Sequence, residues 1–364
     1  MKRDLYIDFA KGLATLSIIF IHTAYWSGQL YLPTEVRILS LLFDVPLFFA
    51  LSGITSGNSI EKTCFRLLKL QITYMLFVTL IFFIDYLFKV LGLYFFGIEG
   101  LQQFYAIFGD KFIPKHIDNI PQWENLGNWY LHQYTHCDIF PVVMGSFWYL
   151  KVYFILSFLG VLILRFFPKH IFWAIGICFG LTAIFNLFPV YYPTGQVGYV
   201  AFYLGVFLVA HHLRGKKIPN LAIPLLYWVW FIAMGLLFCN YGADILYNIN
   251  KFKFPPRTPY ILWSLFSLIT LFVLYNRLKI TKDNFINYIG RNAIFYYFAQ
   301  GISSTIIYFM VYPLKEQMHW SILLMIVYPV NIALAILIAE LLKLFDAIGW
   351  KVLNDIRTKT STNE

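Results

Sequence analysis

Long apolar runs separated by short polar segments set the pattern of this chain. Ten windows stand out: 11–27, 37–56, 70–96, 146–167, 170–188, 196–212, 221–239, 259–276, 289–312 and 319–345. Their lengths match the roughly 17–25 residues that a helix needs to cross a hydrocarbon core. The apolar character is continuous within each window, whereas a transmembrane barrel alternates apolar and polar residues in short segments. The pattern therefore predicts an all-α polytopic membrane protein with about ten transmembrane helices. Ten is even, which places both termini on one side. Residues 1–345 read as one membrane domain and 346–364 as a short polar tail.

Composition agrees. The chain is 60% hydrophobic and only 13% charged, with a mean hydropathy of +0.67, against about 25% charged in soluble proteins. The net charge of +10 would suit a nucleic-acid partner, but its distribution points elsewhere. With the termini in the cytoplasm, about two-thirds of the lysines and arginines fall inside, the bias that orients membrane proteins. No nucleic-acid partner is expected. The four cysteines (Cys64, Cys137, Cys178 and Cys239) are scattered and do not suggest a disulfide framework. No small-residue cleavage site follows the first apolar run, so that segment is expected to persist as a helix. Walker loops, Rossmann glycines, zinc-type cysteine pairs and the serine-hydrolase elbow do not occur, which argues against a built-in ATP motor or a fused soluble catalytic domain.

Charged residues interrupt this apolar background at few places. In "DFAKGLATLSIIFIH", Lys11 and His22 are eleven positions apart. That spacing is three helical turns plus about 20°, so both lie on one face, about 16 Å apart along the axis. Asp8 sits on the same side. Asp8 and Lys11 read either as an interfacial pair that reaches for water or as parts of a site with His22. An ionisable residue near mid-membrane is a functional candidate, and imidazole is the usual general base near neutral pH.

In the second window, "FDVPLFFALSG" places Asp44 toward the outer end and predicts a kink or local opening at Pro46. Asp44 reads as an acceptor contact, as an orienter of a base, or as an interfacial carboxylate. Lys62, Arg66 and Lys69 follow at helical spacings, giving a basic stripe that suits phosphates and also suits a plain positive-inside anchor. At the head of the fourth window, Lys151 either pairs with a carboxylate such as Asp44 or turns outward. Trp148, Tyr149 and Tyr153 form either an aromatic wall for a sugar or part of the interfacial belt. The outer segments 97–145 and 240–258 are rich in Trp, Tyr, Asn and His. His132 and His136 are spaced i, i+4 without an evident third ligand, so no metal site is expected.

Together these segments resemble the acyltransferase type 3 family, integral membrane enzymes that move acyl groups from acyl-CoA to sugars and other acceptors. The basic residue and histidine of the first helix are here Lys11 and His22. "PLFFALSG", the basic stretch around Arg66, "FWYL" at 147–150, "FPPR" at 254–257 and "YIGRNAIFYYFAQ" at 288–300 are similar to family landmarks and follow in order. Two positions depart from the usual pattern: Lys11 stands where arginine is commoner, and Gln300 where many members have histidine.

The resemblance implies an O-acyltransferase, most simply an O-acetyltransferase, that uses acetyl-CoA as co-substrate and holds no permanent cofactor. Its acceptor would be a cell-surface polysaccharide or lipid-linked precursor, and its place the cytoplasmic membrane of a bacterium. His22, Lys11 and Asp8 would form the catalytic face. Lys62, Arg66 and Lys69 would hold CoA phosphates, and Asp44, Trp148, Tyr149, Lys151 and Arg257 would meet the acceptor. The alternative is a transporter or flippase of glycan intermediates, although the matching broken halves common in transporters are not evident.

Overall fold

The computed structural model describes residues 4–109, 113–114, 116–131, 138–193, 195, 197–275 and 277–361. It is 80% helical, with no strand among the described residues. The helices are α1 (Leu5–Tyr25), α2 (Thr34–Ser40), α3 (Val45–Thr55), α4 (Ile60–Ala106), α5 (Leu126–Leu131), α6 (Pro141–Ser146) and α7 (Trp148–Phe166). They continue with α8 (Ile171–Leu187), α9 (Val197–His212), α10 (Ala222–Tyr241), α11 (Thr258–Leu274), α12 (Phe285–Arg291), α13 (Ala293–Leu314) and α14 (Trp320–Ser361).

Among the described residues, eight helical stretches are long and apolar enough to cross a membrane. The chain is an all-α, multi-pass membrane protein. Two of the ten expected spans are shorter: α9 has 16 residues and α11 has 17. At 1.5 Å per residue they reach about 24–26 Å, less than the roughly 30 Å of a hydrocarbon core. The window at 37–56 divides into α2 and α3. Pro46 sits in the first turn of α3, where its missing N–H leaves no helical bond unmade. The third window is longer than its apolar core. Its helix α4 runs 47 residues across a break at Gly97, whose φ of 65° is readily adopted only by glycine. Residue 345, the expected end of the membrane domain, lies inside α14, which continues to Ser361.

The fold comprises two compact units. The first contains residues 1–24, 33–66 and 148–293. Lipid tails are as apolar as leucine, so helices in a bilayer gain little from apolar burial and depend on close packing. Glycines supply that closeness here. A Cβ on Gly53 of α3 would overlap the Phe207 carbonyl of α9, and one on Gly160 of α7 would press into the Phe207 ring. Around this crossing Phe49, Tyr203, Phe207 and Leu208 are essentially fully buried. A second crossing joins α1 to α12, where a Cβ on Gly12 would overlap the Ile286 carbonyl and one on Gly290 the Asp8 carbonyl. The Tyr6 hydroxyl donates to the Leu271 carbonyl of α11 at 2.8 Å.

The second unit contains residues 25–32, 67–147 and 294–364. Phe77 of α4 stacks on Phe298 of α13 with centroids 4.6 Å apart. Leu101, Tyr105, Phe108, Val142 and Tyr308 make a further core. Lys89 of α4, almost wholly buried, contacts Asp138 at 2.5 Å, Asp85 at 3.7 Å and the Asn119 carbonyl at 3.0 Å. Asp85 also accepts the Ile139 N–H at 3.2 Å.

Candidate functional site

The first unit holds most of the residues that the sequence singles out. Asp8, Lys11 and His22 all lie on α1; Asp8 is buried, and Lys11 and His22 are half-buried. Their helix is fixed on the Asp8 side by α12. The Asn284 side chain caps α12 by accepting the Asn287 N–H at 3.0 Å, and Asn287 Nδ2 donates to the Leu5 carbonyl at 2.7 Å. Arg291, from the "YIGRN" stretch, pairs with Asp283 at 2.6 Å. Nearer His22, Ser17 Oγ donates to the Phe43 carbonyl at 2.7 Å, fastening α1 to the turn before Asp44. The Nδ1 atom of His22 is itself buried and has no hydrogen-bond partner among the described residues.

Asp44 occupies the N-cap position of α3 but makes no side-chain cap bond to that helix. Its carboxylate is fully buried and turns instead to Lys253 and Tyr260. Lys253 Nζ lies 2.9 Å from Oδ1 and 2.8 Å from Oδ2, and the Tyr260 hydroxyl donates to Oδ2 at 2.9 Å. An ammonium facing Asp44 is thus that of Lys253; Lys151 is half-buried in α7. Lys253 Nζ stands 5.6 Å from the Trp148 ring centroid and 5.4 Å from that of Phe254, within cation–π range.

An aromatic cluster surrounds this pair. Trp148 packs on Tyr199 at 5.2 Å and edge-on to Phe254 at 5.2 Å, while Phe49 meets Tyr149 at 5.0 Å and Tyr203 at 4.5 Å. Trp148 and Tyr149 are half-buried and packed onto the first unit's core. Arg257 is exposed at the N-cap of α11. Close by, the Tyr192 hydroxyl donates to the Pro256 carbonyl at 2.8 Å. Burial pushes the Tyr192 phenol up to about 12, against the opposing charge of Arg257.

The basic stripe opens α4 and is helical, as its spacing predicts. Lys62 is exposed, and Arg66 is half-buried, its Nε enclosed without a partner among the described residues. Lys69 belongs to the second unit, where its ammonium lies 5.8 Å from the Trp350 ring centroid. Gln300 is buried in α13 of the same unit. His132 and His136 lie outside the described residues. Among the described residues no group of three or more His, Cys, Asp and Glu side chains is placed to hold a metal ion.

The chemistry open to the first unit is that of an imidazole with a buried nitrogen that no described residue engages, on the same helix as the Lys11 ammonium. A family model described as an acyltransferase domain, that of acyltransferase type 3, matches residues 4–340. The chain belongs to the acyltransferase type 3 family. No curated protein and no solved structure matches it. This match to a membrane acyltransferase over nearly the whole chain decides for acyl transfer over transport.

Within this acyltransferase, two residues of the Asp44 network are absent from the sequence reading: Lys253 and Tyr260. One signal for Lys253 is available in the sequence. A carboxylate at the outer end of a helix needs a cation once buried, and Lys253 is one of few on that side, directly before "FPPR". Tyr260 carries no such signal, because a tyrosine at a helix start is common in membrane proteins.

Proposed function

We propose that this acyltransferase is an O-acetyltransferase that transfers the acetyl group of acetyl-CoA to a hydroxyl of a cell-surface polysaccharide or its lipid-linked precursor. It would work in the cytoplasmic membrane of a bacterium with both termini inside. One observation carries the reading: His22 presents a buried nitrogen that no described protein group engages, on the helix that also carries Lys11.

In this mechanism the imidazole of His22 takes the proton of the acceptor hydroxyl as its oxygen attacks the thioester carbonyl carbon. The C–S bond then breaks, and the imidazolium returns the proton to the departing CoA thiolate. Lys11 orients the donor, and Asp8 holds its place on the α1–α12 crossing. Arg66 and Lys62 take CoA phosphates, for which the enclosed guanidinium edge of Arg66 is suited. Trp148 and Tyr149 offer apolar faces to a sugar ring, with Lys151 and Arg257 toward its polar edges.

The test is mass spectrometry of surface glycans from cells with and without the gene, together with incorporation of label from radiolabelled acetyl-CoA into the glycan fraction. The proposal predicts one acetyl group per modified sugar and base-labile incorporation, both lost on deletion. Identical glycans in the two strains would reject it.

A further inference from the structure

We propose that Lys253, aligned by Asp44 and Tyr260, supplies the fixed positive charge that stabilises the negative charge developing on the acyl carbonyl oxygen while His22 takes the acceptor's proton. This assignment rests on the acetyl-transfer reading above and adds a residue to it.

Three observations carry the inference. First, burying an Asp–Lys pair is an inefficient way to stabilise a fold, because desolvation offsets the attraction and apolar replacements often do as well. Yet Asp44 is fully buried and Lys253 is 6% exposed. Second, Asp44 forgoes the cap bond that an aspartate at its position ordinarily makes and gives both oxygens to Lys253 and Tyr260. Its geometry serves the ammonium and not the helix. Third, Ser17 Oγ, on the helix that carries His22, donates to the Phe43 carbonyl at 2.7 Å, so α1 is fastened to the turn that holds Asp44. The pair therefore stands beside the helix that carries the imidazole.

These features match what electrostatic catalysis requires. A charge already held in place needs no reorganisation when the transition state forms, and in a water-poor site its field is weakly screened. Two contacts to Asp44, with the Trp148 and Phe254 rings 5.6 and 5.4 Å from Nζ, hold this ammonium in position. In the reaction, the electron pair of the breaking C=O π bond moves to the carbonyl oxygen as the acceptor oxygen bonds to carbon. It returns when the C–S bond breaks and CoA leaves. Lys253 stabilises the interval between the two events and exchanges no proton.

The experiment uses membrane vesicles that carry the full-length protein and its native glycan, with radiolabelled acetyl-CoA as the probe. Lys253→Met is expected to lower kcat about a hundredfold or more, with KM for acetyl-CoA within about threefold of wild type. Lys253→Arg should recover at least about tenfold over Lys253→Met. Lys253→Met leaves Asp44 buried without its cation, so Asp44→Asn/Lys253→Met is measured beside it. That double variant removes both charges, keeps an acceptor for Tyr260, and should fold while remaining at least about a hundredfold slow. A folded single or double variant with wild-type kcat would overturn the inference, as would a raised KM at unchanged kcat. If wild-type vesicles incorporate no label, the acetyl-transfer reading and this inference fall together; if only the Lys253 variants behave as wild type, this inference alone fails.

Discussion

Substituting Gly290→Ala tests how the fold sets the α1 face. The added Cβ would overlap the carbonyl oxygen of Asp8 and come within 2.7 Å of the Gly12 backbone nitrogen, where ordinary contact begins near 3.4 Å. Neither obstacle is the flexible end of a side chain, so α1 and α12 must part by about 1.6 Å, from 1.8 Å to the 3.4 Å of ordinary contact. Overpacking of this kind costs about 1–3 kcal/mol or more. It also displaces Asp8 and Lys11, and a misplacement of about 1 Å can lower a rate about a hundredfold. Two assays on one preparation follow the effect: the thermal melting midpoint in detergent and label transfer from acetyl-CoA in vesicles. Both should fall. Gly127→Ala, at a glycine where an added Cβ would meet nothing within 4 Å, should lower neither. A Gly290→Ala protein with wild-type midpoint and rate would refute the claim that this backbone crossing positions the face.

The other units of the design are open to single substitutions. Lys89→Met leaves Asp85 buried and Asp138 partly buried without their ammonium and should destabilise the protein by about 3–5 kcal/mol, read as a lowered midpoint; an unchanged midpoint would remove that cluster from the account. Arg66→Ala should raise KM for acetyl-CoA about ten- to a hundredfold, as expected for a lost charged hydrogen bond, with kcat within about threefold; the reverse split would show that Arg66 does not bind the donor. Tyr192 keeps its proton to about pH 12, whereas the unfolded chain loses it near 10. Between these values the unfolded state binds fewer protons, so stability falls as pH rises. Midpoints measured across that window should fall less steeply for Tyr192→Phe than for wild type, and parallel slopes would contradict the burial assigned to this phenol.

Helices in a membrane are written locally, and the sequence reveals them for that reason. The apolar windows report α1, α4, α7 and α13 because each must satisfy its own backbone bonds within lipid. That Lys11 and His22 share one helix was legible because both fall in, or at the edge of, a single apolar window. Pro46 announced the break between α2 and α3 for an equally local reason. What stayed hidden depends on distant partners. Asp44 could take a cation from either Lys151 or Lys253, and nothing in a linear pattern ranks a residue 107 positions away against one 209 away. The Lys89–Asp85–Asp138 cluster was missed likewise. Two of its members share α4, but the third comes from a segment that reads simply as a polar loop. Glycine crossings are the intermediate case. Gly12 and Gly290 both lie in motifs noticed for other reasons, yet that they oppose each other appears only in three dimensions.

The central claim is that His22 takes the acceptor's proton during acetyl transfer. The most direct measurement is label incorporation from acetyl-CoA into the glycan of vesicles carrying wild type, His22→Ala or His22→Gln, normalised to folded protein by the melting transition. Removing a positioned general base typically lowers a rate about a hundred- to ten-thousandfold. The account predicts a loss in that range for both variants, at unchanged melting midpoint. A folded His22→Ala protein that acetylates at the wild-type rate would contradict it.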